Sequence, residues 1–227
     1  MKIHSLHPWN LTPKEAIEIQ KQLSARIIRE NYVQSVRCVA GADVAVSKSP
    51  ALAHAGVVVL SYPDLRIVEQ QEAIVELTFP YIPGLLAFRE SPALLKAFEK
   101  LRHDPDLVMI DGQGLAHPRG FGIACHIGLS LDKPTIGCAK SRLFGKHRPP
   151  PMKRGGWTPL TGNCDEVIGA VVRTKDRTNP VYVSVGHKVD LPTAIQVTLA
   201  CARYRIPEPI RQADIFVGRL KNRTKIG

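Results

Sequence analysis

The sequence predicts a mixed α/β fold, in which three antiparallel strands are followed by parallel strands and the sheet is flanked by helices. Three observations point to it. Val36–Val46, Ala55–Tyr62 and Arg66–Leu77 are strand-like segments in succession, the last two joined by the tight-turn signal Pro63-Asp64. After them the pattern changes to alternating strand and helix. The later strands, Leu107–Ile110 and Thr135–Cys138, are short apolar runs without polar alternation, as expected of strands covered on both faces.

The elements follow in order. Thr12 as N-cap, Pro13 at the first helical position and Glu15 completing a capping box open a first helix, whose apolar positions Ala16, Ile19, Leu23 and Ile27 recur at helical spacing. The three strands come next, then the proline-punctuated FPYIPGLLAFRE, then a helix expected to start at Ser91 with Pro92 behind it. Leu107–Ile110 stops at Asp111-Gly112; a glycine-rich turn and a helical stretch, Phe121–Leu131, lead to Thr135–Cys138. Val167–Arg173 and Val181–Val185 are expected strands, and Leu191–Tyr204 an expected helix running up to Pro207 and Pro209. No internal repeat or linker interrupts residues 1–227, so one domain is expected. This element order resembles the ribonuclease H-like architecture. The resemblance implies a sheet order of 3-2-1-4-5, with the first and fourth strands side by side at the centre.

Composition narrows the function. With 44% hydrophobic residues in 227, one continuous core needs no cross-links. Five separated cysteines without a CxxC pair argue against a disulfide framework and a zinc site. No apolar run approaches a membrane span, and the N-terminus carries no apolar leader. A soluble, cytoplasmic protein is therefore expected, and it is taken as a monomer. The net charge of +11 favours a polyanionic partner. Residues 140–154 hold six Lys or Arg and no acid, while Asp64, Glu69, Glu72 and Glu76 cluster elsewhere, so one face should be electropositive.

Asp43 interrupts an apolar strand, and Asp111 ends another. If those strands are neighbours, the two carboxylates face each other across ~5 Å. Two bare carboxylates about 4 Å apart repel by roughly 4 kcal/mol at an effective dielectric of 20, so one takes a proton or a cation joins them. An all-oxygen set suits Mg²⁺, with Mn²⁺ as substitute, better than zinc. Glu90 and Asp214 are candidates for the remaining carboxylate positions, and Lys140, just after PTIGCA, for charge stabilisation at a phosphate. Each taken alone has an ordinary structural role: a cap for Asp111, a surface pair with Arg89 or Arg211 for Glu90, a solvated helix residue for Asp214, a solvated cation for Lys140.

Tyr81, Ile82, Pro83 and Gly84 follow Pro80 in a motif whose prolines stiffen the backbone around an aromatic ring, suited to wedging between bases. A buried hydrophobic turn is the competing reading. Gly112, Gly114, Gly120 and Gly122 occupy one loop, where backbone amides can approach a ligand closely. His117 stands where a GxGxxG motif needs glycine, which removes the dinucleotide-binding reading.

GADVA, PYIPGLLAFRE, DGQG with HPRGFGIACHIG, PTIGCAK, VSVGH and YRIPEPIRQAD together make the chain, from about Gly41 to Asp214, resemble endonuclease V. The resemblance implies hydrolysis of the second phosphodiester bond 3′ to inosine, in DNA or RNA, with Mg²⁺ or Mn²⁺. It implies Asp43 and Asp111 as metal ligands, Glu90 contributing directly or through water, and Asp214 nearby. It also places Gly84, Leu86, Gly112, His117, Ile123, Gly137 and Ala139 around the base. Gln113 departs from the family's frequent DGHG. The competing functions are a ribonuclease H-like nuclease that reads flaps or junctions, and a non-catalytic nucleic-acid-binding protein.

Overall fold

The computed structural model describes residues 1–223. β1 (Cys38–Lys48), β2 (Ala51–Ser61) and β3 (Ile67–Glu76) form an antiparallel meander. After helix α2 (Leu86–Glu99), β4 (Leu107–Ile110) runs parallel to β1, and after α3 (Ile123–Leu131), β5 (Thr135–Ala139) runs parallel to β4. β6 (Trp157–Thr161), β7 (Val167–Val172) and β8 (Val181–His187) extend the sheet beyond β5, in the order β3-β2-β1-β4-β5-β8-β7-β6. The first five strands adopt the expected order. β6 was not predicted, because Pro159 within it argues against a strand; as the outermost strand it tolerates a residue that cannot donate to the ladder.

Helix α1 (Pro13–Ser24) has the expected capping box between Thr12 and Glu15. α4 (Leu191–Ala200) ends short of Tyr204, and α5 (Glu208–Arg223) begins after Pro207. The start of α2 differs from expectation in a way that matters for the site. The helix begins at Leu86, not at Ser91, and Pro92 lies inside it. An interior proline costs about 3 kcal/mol. Burial of Leu85, Phe88, Leu94 and Phe98, each 1% exposed or less, offsets this at roughly 1.5–3 kcal/mol per large apolar side chain. Ser91 is buried and caps nothing, so Glu90, expected in a loop, stands on a rigid helix.

Alternation along the strands divides the core between the two faces of the sheet. Ala40, Ala42, Val108 and Ile110 pack with Leu94, Phe98 and Ile127 of α2 and α3. Val39, Leu107 and Met109 pack with Ile210 and Ala213 of α5. The next residues in sequence, Asp43 after Ala42 and Asp111 after Ile110, therefore share the face covered by α5, the helix that carries Asp214.

Candidate active site

β1 and β4 are in register with Ala42 opposite Ile110, and the Asp111 amide donates to the Ala42 carbonyl at 3.2 Å. Asp43 and Asp111 thus continue the same ladder side by side. Asp43 Oδ1 accepts the Val44 amide at 2.7 Å. Burial, followed by the charge of Asp111, pushes the Asp43 carboxyl up to about 7. Burial, followed by the charges of Asp43 and Asp111, pushes Glu90 up to about 8. Helix α2 therefore delivers Glu90 to the pair on the strands, and ionisation of each of these two acids is opposed by its acidic neighbours.

Lys140, immediately after β5, places Nζ 2.7 Å from Asp111 Oδ2 and 3.6 Å from Asp214 Oδ1. Burial alone would lower the ammonium's pKa, but the hydrogen bond and charge of Asp111, with Asp214 and Asp43, raise it. Among the described residues no three His, Cys, Asp or Glu side chains form a ready-made ligand cage. Asp111 and Asp214 pair with an ammonium instead. The chemistry of the acids nonetheless fits a hard divalent cation: all donors are carboxylate oxygens, and ionising them together needs positive charge close by. Asp214 is the most exposed member, at 56% of its side chain; it pairs with Lys140, and its charge also reaches Asp43.

Beside the acids lies a cleft of about 380 Å³. Tyr81, Ile82, Pro83, Gly84, Leu86, Gly112, His117, Ile123 and Ala139 all line it, together with Asp111 and Lys140. Gly137 does not. A Cβ on Gly137 would stand 2.4 Å from the Gly114 amide nitrogen, so this glycine lets the 111–114 loop rest directly on β5. Gln20, Ser141, Arg142 and Leu143 line the cleft without having been singled out. Gln20 had a sequence signal, since it is a polar residue in the stripe between Ala16 and Leu23.

The PYIPG segment is built as a projection. Ile82-Pro83-Gly84-Leu85 is a β-turn closed by the Leu85 amide on the Ile82 carbonyl at 2.9 Å, with Gly84 at φ +81° as a type II turn requires. Ile82 packs toward Phe79, Leu85 and Phe88, whereas Tyr81 is 71% exposed, which removes the buried-turn reading for its ring.

His117 is engaged at both ring nitrogens. Nδ1 accepts the Arg119 amide at 3.2 Å, which leaves Nε2 to donate to the Gly84 carbonyl at 2.9 Å. Burial brings its pKa down to about 4, so the ring is neutral. It is a strut between two loops, with no ring nitrogen left for a base, a phosphate or a proton transfer. The glycine loop is similarly committed. The amides of Gly114, Gly120 and Gly122 donate to Ser184 Oγ, the His117 carbonyl and the Gly114 carbonyl. Among the described residues, Gly112 is the one of the four whose amide has no protein acceptor. His187 accepts the Ile28 amide at 3.3 Å and is buried away from the cleft.

Comparison with known proteins agrees with this architecture. The family model described as Endonuclease V matches residues 21–215. An endonuclease V of Roseiflexus castenholzii is 51% identical over 215 residues, covering 94% of this chain and 96% of its own. The crystal structure of an endonuclease V from Streptomyces avermitilis is 38% identical with a TM-score of 0.92, covering 99% of this chain and all of that one. A Ciona intestinalis endonuclease V, solved in complex with a 23mer DNA containing an inosine followed by a ribo-adenosine, is 29% identical with a TM-score of 0.82, covering 96% of this chain and all of that one. No described helix is long and apolar enough to cross a membrane. With a family model matched over most of its length and relatives near half identical end to end, the chain belongs to the endonuclease V family.

Proposed function

We propose that the protein hydrolyses the second phosphodiester bond 3′ to an inosine in a nucleic-acid strand, leaving 3′-hydroxyl and 5′-phosphate ends. The observation that carries this is a cleft large enough for a base directly beside buried Asp43 and Glu90, whose ionisation burial and neighbouring carboxylates oppose. Asp43 and Asp111, with Glu90, would hold Mg²⁺ or Mn²⁺. The ion supplies polarisation of the phosphate and a lowered pKa for an attacking water.

The chain's own residues do the rest. Tyr81 stacks in the gap left by the extruded base; stacking returns about 1–3 kcal/mol against an unstacking cost of a few. The free Gly112 amide suits the O6 acceptor of hypoxanthine, a group that adenine replaces with a donor. Leu86 and Ile123 form an apolar wall against which the 2-amino group of guanine would be buried unpaired. Lys140 is placed to stabilise charge gathering on the scissile phosphate.

The test is incubation of end-labelled DNA and RNA strands carrying one inosine, with and without Mg²⁺, beside matched adenosine strands. A single Mg²⁺-dependent product one nucleotide beyond inosine is expected. Cleavage that follows flaps or junctions regardless of inosine, or binding without any product, would replace this function with one of the competing ones.

A further inference from the structure

Resting on that function, we infer that Gln20 and Arg119 are positioning residues that hold the Tyr81 wedge at its working height, making helix α1 part of the base-extruding device. The juxtaposition is specific. The Gly84 carbonyl receives three donors: Gln20 Nε2 at 3.0 Å, His117 Nε2 at 2.9 Å and Arg119 Nη2 at 2.7 Å. Gln20 Oε1 accepts Arg119 Nε at 2.6 Å, and Gln20 Nε2 also reaches the Phe121 carbonyl at 3.0 Å. Gln20 is 1% exposed, and both ends of its amide are used. It lies one residue before the stretch matched by the family model.

The arrangement does more than fill space. A carbonyl has two lone pairs, and three donors on one oxygen, one of them a guanidinium, fix both its position and its direction. That oxygen belongs to the third residue of the turn that follows Tyr81. At the other end of the segment, Arg89 Nη1 donates to the Phe79 carbonyl at 2.5 Å, and the Phe79 ring packs on Phe88 at 5.8 Å. The segment is thus anchored before and after Tyr81, and residues 80–83 project from two fixed points. An extruding side chain works only if it does not yield when the stack pushes back. The two anchors supply that resistance, and the α1 contact supplies it from an element that otherwise touches nothing catalytic.

The role lies in binding and extrusion, before the chemical step. Gln20→Ala and Arg119→Ala should each weaken binding of a single-inosine strand in chelator by roughly 10-fold, the order expected for a lost charge-assisted hydrogen bond. The single-turnover rate at saturating enzyme should stay within about twofold. Arg119→Lys, which keeps a cation for Gly84 but loses the fork to Gln20, should fall between wild type and Arg119→Ala. In a Tyr81→Ala background, Gln20→Ala should cost nothing further, because the two residues act through one device. A Gln20→Ala loss that adds fully to Tyr81→Ala, or a saturated rate that falls as far as the affinity, would reduce the cluster to ordinary fold support. If wild type itself shows no preference for the inosine strand over its adenosine counterpart, the proposed function fails; if it does and the variants match it, this inference alone fails.

Discussion

Two polar clusters border the same cleft, and they are built on opposite terms. Around Gly84, neutral His117, Gln20 and Arg119 satisfy one another and the backbone. Around Asp43, burial and the charge of Asp111 raise the Asp43 carboxyl, burial and the charges of Asp43 and Asp111 raise Glu90, and Lys140 is the cation paired with Asp111. Polar groups that are fully paired stabilise and orient, whereas like charges gathered in a partly buried place cost stability that a proton or an incoming cation can return. The contrast separates the part of the cleft proposed to shape the substrate from the part proposed to react with it.

The largest effects should come from the acids. Asp43→Ala or Asp111→Ala is expected to lower cleavage of an inosine strand by roughly 10³-fold or more while sparing metal-free binding, read from single-turnover gels beside binding in chelator. Near-wild-type cleavage in either would break the contrast at its reactive end. Tyr81→Ala should weaken binding of inosine strands by about 5–100-fold and of unmodified strands much less, in keeping with the worth of one stacked base. Equal losses on both strands would show that the exposed ring does not act on the base.

Smaller effects should separate the clusters by pH. The raised pKa of Glu90 means that its contribution to stability is present at low pH and lost as pH climbs from the ordinary carboxylate range through about 8. Glu90→Gln should therefore raise Tm in chelator at pH 8, by about 2–4 °C for each kcal/mol of repulsion relieved, and flatten the pH dependence. A lower Tm would mean that the acids are not in conflict. His117 carries the opposite sign. Its depressed pKa gives stability that is present above its ordinary value near 6.5 and lost as pH falls toward about 4. Denaturant midpoints for His117→Gln should be lower than wild type at pH 7 and approach it by pH 4.5. A constant gap would remove the neutral strut from the account.

Several features were legible because they are local. Apolar runs without alternation marked β4 and β5, and the capping box around Thr12 marked α1. Asp43 stood out as a charge within an apolar strand, and Pro80 and Pro83 as stiffeners of the segment that carries Tyr81. The start of α2 was not legible, since Ser91-Pro92 is a strong local start signal that only the burial of Leu85 and Phe88 overrides. β6 was hidden by Pro159, which only its place at the edge of the sheet makes tolerable.

The sequence by itself determined which residue types are present and how each short segment prefers to fold, because propensity, capping and turn chemistry act over a few residues. It carried the acids, the wedge and, through its resemblance to a family, their expected partners. Only the tertiary structure decided which groups are spent and which are free. His117 and most of the glycine amides turned out to be satisfied by the protein, Gly137 to lie beneath the loop, and Gln20 to reach the Gly84 carbonyl from 64 residues away. Hydrogen-bond satisfaction and charge conflict depend on distances between segments remote along the chain, and those distances exist only once the sheet and its helices have packed.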